Sequence, residues 1–392
     1  MYNFDEITDR RHSGCVKWDS TPADDIIPMW VADMDFKTAP VIIEALRKRV
    51  EHGIFGYTRI DDDYYEAIDR WFLFQHGFSV RKEDVICVPG VVPAISAIIK
   101  GLVAQGNGVI IMTPVYNCFF SSIRNNGCNI VEVPLVRKDC GESQFTYGID
   151  FGLLEEKAAS SNVTMLLLCN PHNPAGRLWT KEELEKIADI CRRNSVKIVS
   201  DEIHCELTRP GMSYVPFATI DPNAVVCVSP SKAFNTAGLQ NAAIICSDKQ
   251  DRDAIDRAVN DNEVCDVNPF GVEALKAAYS EEGKRWLDEL REYIWRNYDY
   301  LLSAMRKELP QCPVSKLEAT YLPWIDVSSL GIPADRLQQR IMDEARVWVN
   351  SGVMYGKDGF IRLNIACPRA ILEEGLSRLI KWFRNNQTGM QG

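Results

Sequence analysis

Thr164-Met165-Leu166-Leu167-Leu168-Cys169 is an apolar run that stops at Asn170-Pro171-His172-Asn173-Pro174-Ala175-Gly176. A short run of that character, broken by two prolines, reads as a buried strand entering a rigid loop. Thr180 and Glu183 then form a capping box, and Leu184, Ile187, Ala188 and Cys191 follow at helical spacing, which predicts a helix. The next apolar run, Val196-Lys197-Ile198-Val199-Ser200-Asp201-Glu202-Ile203-His204, is a strand that ends in acid. Strand, helix, strand is the repeating unit of a mainly parallel sheet with helices on both faces. Such sheets take ligands at the carboxyl ends of their strands.

The same rhythm runs outward in both directions. Upstream, Asp84-Val85-Ile86-Cys87-Val88-Pro89-Gly90-Val91-Val92-Pro93-Ala94 is strand, tight turn and helix start, with Pro93 suited to a first helical turn. Free N–H groups at Gly90, Val91 and Val92, with the helix dipole behind them, suit a phosphate. Gly108 to Met112 is another strand, and it delivers Tyr116, either a face for a planar ligand or a loop tyrosine packed on its own domain. Downstream, Val225-Val226-Cys227-Val228-Ser229-Pro230-Ser231-Lys232-Ala233-Phe234 presents one lysine after a β-branched run. The plain reading of Lys232 is a solvated surface residue. Desolvated, its amine would gain nucleophilicity and form a Schiff base with an aldehyde.

The rest is helical from about Asp248 to Leu309, with Leu287, Leu290, Ile294, Tyr298, Leu301 and Met305 as one core stripe. Strands near Tyr321–Asp326 and Gly359–Ile365 alternate with helices at 334–345 and 371–383, a smaller α+β unit. Within it Arg362 stands in an apolar strand, where its guanidinium needs an anion: an internal carboxylate, or the carboxylate of a substrate. In 392 residues the expected division is an N-terminal segment 1–45 shared with the small domain, a large domain 46–280 and a C-terminal small domain 281–392. Trp30 and Phe36 give the first segment too much apolar area for a solvated tail. Tyr57, in the glycine-bounded turn Gly53-Ile54-Phe55-Gly56-Tyr57-Thr58, is either exposed for binding or caps the turn.

A net charge of -10 argues against nucleic acid or an anionic membrane as partner. Thirteen cysteines with no Cys-x-x-Cys spacing read as reduced thiols. With no signal-peptide plan and no long apolar run, the expected location is the cytoplasm. Gly106-Asn107-Gly108 lacks a third glycine and precedes a strand, Gly352 to Lys357 is too short for a Walker loop, and the five histidines show no metal spacing, so neither dinucleotide, nucleotide triphosphate nor metal is implied. Four strand ends instead suit one electron-sink cofactor. Lys232 supplies an amine, Gly90 to Val92 an anion cradle helped by Ser229 and Ser231, Asp201 a carboxylate for a pyridine nitrogen, and Tyr116 a stacking face; beyond these four, Asn173 can hold the ring hydroxyl. That combination points to pyridoxal 5′-phosphate.

Asn170 to Gly176, Ser200-Asp201-Glu202-Ile203-His204, Ser229 to Phe234 and Phe360-Ile361-Arg362-Leu363-Asn364 together resemble the fold-type I pyridoxal-phosphate enzymes of the class I/II aminotransferase family. Met29 to Phe36, Pro89 to Ala94 and Asp201 to Glu206 are similar to its carbon-sulfur β-lyase branch, the MalY/PatB type of cystathionine β-lyase. The resemblance implies Lys232 as the Schiff-base lysine and general base, Asp201 at the ring nitrogen, Asn173 at the ring oxygen, Tyr116 stacked on the ring and acting in catalysis, and Arg362 on the substrate carboxylate. It also implies a homodimer, with Tyr57 reaching the cofactor phosphate of the neighbouring chain. His204 stands on the cofactor side where relatives that only transaminate have tyrosine, and Trp30 and Tyr321 are candidates for the substrate pocket. The expected reaction releases pyruvate, ammonia and a thiol from a sulfur amino acid. Transamination shares its first carbanion, and a cofactor-binding regulator acting through a protein partner is the alternative of another class.

Overall fold

The computed structural model describes residues 2–141, 143–261, 263 and 266–387. Its central sheet has seven strands, in the spatial order Val85–Val88, Ala242–Ile245, Val225–Val228, Lys197–Asp201, Val163–Cys169, Gly108–Ile111, Asn129–Glu132. Ala242–Ile245 runs antiparallel to both neighbours and the other pairings are parallel. The expected α/β architecture is therefore present. Met165, Leu167 and Cys169 enter one core, against Ile95, Ile98 and Ile99 of Val91–Leu102, while Leu166 and Leu168 enter the other, against Leu184 and Ile187 of Lys181–Arg193. Alternate residues thus serve opposite faces, and the strand reads as an unbroken apolar run because both faces are covered. The capping box forms as expected, with Thr180 Oγ1 accepting from Glu183 N and Glu183 accepting from Thr180 N.

A second sheet of six strands runs in the order Asn350–Ser351, Phe360–Arg362, Trp324–Asp326, Val314–Ser315, Gln144–Gly148, Val136–Asp139. Its last two strands are a hairpin from inside 46–280 that pairs onto the C-terminal strands through Gln144 and Val314. The N-terminal segment joins the same side, where Ile27–Pro28 pairs in parallel with Val347–Trp348. The stretch read as helical from 248 to 309 is three helices, Lys249–Asn260, Pro269–Ala278 and Glu281–Glu308. Asn268 and Ser280 restart it by accepting from the backbone N–H of Phe270 and Gly283. The stripe from Leu287 to Met305 lies on the last of these and is buried.

The loop after Val163–Cys169 depends on one glycine. Gly176 has φ +68°, and a Cβ there would overlap Leu317 Cδ1 and lie 3.2 Å from the Ala319 carbonyl. Leu317 is itself buried in the core. Gly176→Ala is expected to cost about 2–4 kcal/mol, from left-handed strain plus overpacking. Chemical denaturation of the purified chain should show it as a lower midpoint.

Candidate active site

Five strand ends open on one cavity of about 380 Å³, because the strands that carry them run in the same direction. Gly90 follows Val85–Val88, Tyr116 follows Gly108–Ile111, Asn173 follows Val163–Cys169, Asp201 ends Lys197–Asp201 and Lys232 follows Val225–Val228. Arg362 enters from the second sheet, and Trp30 and Ala32 from the N-terminal segment. The cavity therefore lies between the two sheets, with contributions from the whole chain.

Lys232 is half-buried, and its Nζ donates to the Ala32 carbonyl at 2.7 Å. Burial, and then the charge of Arg362, push its amine down to about 8, against the opposing pull of Asp33 and Asp201. Asp201 lies between Cys169 and Cys227 in register. Burial pushes its carboxyl up to about 7, although Ile203 N–H donates to Oδ1 at 3.1 Å and Lys232 draws it down. A buried acid and a depressed amine thus face one space. His204 lines the same wall, and burial, followed by Lys232 and Arg362, pushes it down to about 3, so its ring is neutral at physiological pH. Its Nδ1 is buried without a partner.

Val91 and Val92 begin the helix Val91–Leu102 behind Gly90, and their N–H groups, which a first helical turn leaves unpaired, stand at the cavity wall. Ser231 lines the cavity beside them. Ser229 does not, since its buried hydroxyl donates to Asn241 O at 2.6 Å and meets Ser231 Oγ at 2.9 Å. It supports Ser231 from behind. Tyr116 precedes the helix Asn117–Asn125, and burial, with Cys118 beside it, raises its hydroxyl well above the usual range. A neutral phenol with an apolar face is what remains.

Arg362 is buried, and among the described residues no carboxylate pairs with it. Its NH1 donates to Asn173 Oδ1 at 3.1 Å, its NH2 donates to Trp30 O at 3.1 Å, and its Nε has no partner. The guanidinium also stands 4.8 Å from the Tyr355 ring centroid. Neutral oxygens and an aromatic face leave the full charge uncompensated, so an incoming carboxylate gains strongly there. Trp30 lines the cavity and stacks on Trp348 at 4.4 Å. Tyr321 does not line it; its ring is fully buried and its hydroxyl donates to the Ala32 carbonyl at 2.9 Å. Tyr57 is 97% exposed and so is turned away from the cavity of its own chain.

Cys118, Asn241, Asn350, Met354 and Tyr355 also line the cavity and were not singled out from the sequence. Asn350 precedes and Tyr355 lies within Gly352 to Gly356, a stretch with no motif of its own; Asn350 Nδ2 donates to the Tyr355 hydroxyl at 3.1 Å. Glu202 and Glu206, inside the acidic motif, turn away from the cavity. Glu202 accepts from Tyr214, Ser200, Asn170 and the Phe217 N–H, and Glu206 accepts from Trp71 with His76 beside it. They fasten the loop that presents Asp201.

The aminotransferase class I and II family model matches residues 24–379. Cystathionine beta-lyase PatB of Bacillus subtilis is 40% identical over 387 residues, which is 96% of this chain and 98% of that protein. Protein MalY of Escherichia coli is 35% identical over 394 residues, 98% of this chain and 99% of that protein. Among solved structures, cystalysin from Treponema denticola, which contains a pyridoxal 5′-phosphate cofactor, matches with a TM-score of 0.93 and 32% identity over 98% of this chain and 99% of that chain. Identity at this level along nearly the full length leaves no segment unaccounted for, and the chain belongs to the aminotransferase class I and II family, in the branch that holds PatB and MalY.

Proposed function

We propose that the protein is a pyridoxal 5′-phosphate-dependent carbon-sulfur β-lyase acting on L-cystathionine or a related cysteine S-conjugate. The observation that carries this reading is the meeting, in one cavity, of a depressed amine, a buried acid and a guanidinium without an anionic partner. PatB's description as a cystathionine beta-lyase, at 40% identity, supports the choice of reaction.

The donor set fits the cofactor. Lys232 offers the amine, the first-turn N–H groups of Val91 and Val92 with Ser231 offer an anion cradle, Asp201 an acid for the ring nitrogen, Asn173 an amide for the ring oxygen and Tyr116 a face. When bound, pyridoxal 5′-phosphate supplies a carbonyl for an amine and a ring that accepts the electron pair left when the Cα proton departs. Arg362 holds the substrate carboxylate through its fork, which fixes the Cα–H direction relative to Lys232. With its proton affinity lowered, Lys232 Nζ takes the Cα proton and can return it to the departing sulfur. Asp201, ionised against a positive ring nitrogen, keeps negative charge where electrons are drawn. Overall one water is consumed, the Cβ–S bond breaks, sulfur leaves as a thiol, and the remainder leaves as pyruvate and ammonia.

The purified, cofactor-loaded chain should release pyruvate and thiol from L-cystathionine with no keto acid present. Strict dependence on a keto-acid acceptor would make it an aminotransferase instead. Lys232→Ala should lose the visible absorption of the loaded protein together with turnover, and Asp201→Asn should lower kcat/KM on the order of 10²-fold or more. A visible spectrum indifferent to every amino acid offered would favour a regulatory role.

The chain is also inferred to work as a homodimer. Ile54 and Phe55 are 67% and 52% exposed beside Tyr57, more apolar surface than one short turn carries free of a partner. If Tyr57 serves the neighbouring site, Tyr57→Ala should bind cofactor weakly, and mixing it with Lys232→Ala should restore activity by building one complete site per mixed dimer. Equal mixing gives about a quarter of the wild-type number of complete sites. Mixtures no more active than their parts would place Tyr57 outside the site.

A further inference from the structure

Trp30 to Asp35 has no regular secondary structure, yet five successive carbonyls accept hydrogen bonds from side chains. Trp30 O accepts from Arg362 and from Asn350, and Ala32 O accepts from Lys232 at 2.7 Å and Tyr321 at 2.9 Å. On the other side, one amide, Asn364 Nδ2, donates to both Val31 O at 2.6 Å and Asp33 O at 2.5 Å. The carbonyls that Asn364 holds, Val31 O and Asp33 O, stand on either side in sequence of Ala32 O, the one that Lys232 meets. The amide's orientation is set in turn by Ala366 N, which donates to Asn364 Oδ1 at 2.8 Å.

The segment's far end is held by charge. Asp35 accepts from Lys17 at 2.8 Å, Arg10 at 2.7 Å and Trp18 at 2.8 Å, and Arg10 also reaches Asp33 at 2.7 Å. Lys17 is 1% exposed and Asp35 3%, so this is a buried anchor.

We propose that Trp30–Asp35 is a positioning strap whose main-chain carbonyls set the site's two cations, Lys232 through Ala32 and Arg362 through Trp30, with Asn364 and Tyr321 as the positioning residues that hold it in register. The proposal rests on the reading of Lys232 and Arg362 given above. Tyr321 and Lys232 share one oxygen, so the phenol draws on the same lone pairs that hold the ammonium form of the lysine. Asn364 acts in the opposite sense, since it keeps that oxygen within reach.

The two side chains therefore have opposite effects on one measurable quantity. In the full chain freed of cofactor, the pH dependence of Lys232 acylation by acetic anhydride, followed by peptide mass spectrometry, reports its proton affinity. Tyr321→Phe should raise that affinity about three- to tenfold, because Ala32 O is left to the lysine alone, and Asn364→Ala should lower it by a similar factor. In the loaded enzyme Asn364→Ala should also raise KM about tenfold, as Arg362 loses its fixed contact with Trp30 O, while Tyr321→Phe acts mainly on kcat. Arg362, Asp33, Asp201, Cys118 and His204, the other ionisable groups acting with Lys232, are retained in both variants; Asp33, whose carbonyl Asn364 holds, would if released by Asn364→Ala lower the lysine's affinity in the same direction as the loss of Ala32 O. Titration identical to wild type in both variants, or a shift of the same sign in both, would overturn the proposal. Should Asn364→Ala fail to fold, Tyr321→Phe decides alone, an unchanged Lys232 titration refuting it. A wild-type chain that cleaves no sulfur amino acid would defeat the lyase reading and leave the labelling comparison standing.

Discussion

Lys232 and Arg362 share a cavity in which, among the described residues, Asp201 is the one lining carboxyl group, and burial raises its proton affinity. Lys232 and Arg362 repel each other there, and that repulsion is the second cause, after burial, of the low proton affinity of the lysine. A pair of full carboxylates would relieve the strain but would also restore the lysine to an inert ammonium and occupy the guanidinium. The chain uses partial charges instead: the carbonyls of Ala32 and Trp30, the Asn173 amide oxygen and the Tyr355 ring. Each is strong enough to orient a cation and too weak to neutralise it.

Holding carbonyls at such points requires a segment that does not move, and irregular backbone is poorly suited to this by itself. The anchor at Lys17, Arg10, Asp33 and Asp35 supplies rigidity that a strand would otherwise take from its ladder. Its buried members are Lys17 and Asp35; removing Asp35 would leave the Lys17 ammonium buried with only Asp33 at 3.8 Å to face it. The ion pairs of the anchor centre on Asp35, and neutral dipoles make the direct contacts to Lys232 and Arg362. The arrangement places strong, desolvated electrostatics where they fix geometry and weak ones where they leave charge available to a ligand.

Much of this was legible because the strand ends are abrupt. Apolar runs stopping at Pro171, Pro114, Pro89 or Pro230 marked four ends of parallel strands, and the polar residues just beyond them form the cavity wall. Ala242–Ile245 escaped notice because two of its four residues are alanine, which carries no strand preference, and its antiparallel direction has no local cause. Val136–Asp139 is exposed throughout and charged after Val136, so nothing in its pattern separates it from a loop. Asp62–His76 was not among the expected elements although its signals are local, with Asp61 as cap, Tyr64, Ile68, Trp71 and Phe72 on one face and Gly77 as stop. Within the site, Tyr321 and Ser229, expected at the ligand, have their hydroxyls on the carbonyls of Ala32 and Asn241. Residue type suggests a polar contact, but whether its partner is a ligand or a neighbouring carbonyl depends on backbone that lies far away in sequence.

That distinction explains the acidic motif as well. Asp201, Glu202 and Glu206 look equivalent as carboxylates within six residues, and all three are buried. Glu202 is saturated by donors from four residues, and Glu206 by Trp71 and His76, whereas Asp201 has a single backbone N–H and open cavity in front of it. A carboxylate with its acceptors filled is structural, and one buried with acceptors to spare is waiting for a donor. The two saturated acids make the third usable: they pin the loop on both sides of His204, so that Asp201 faces inward without a partner of its own to turn it aside.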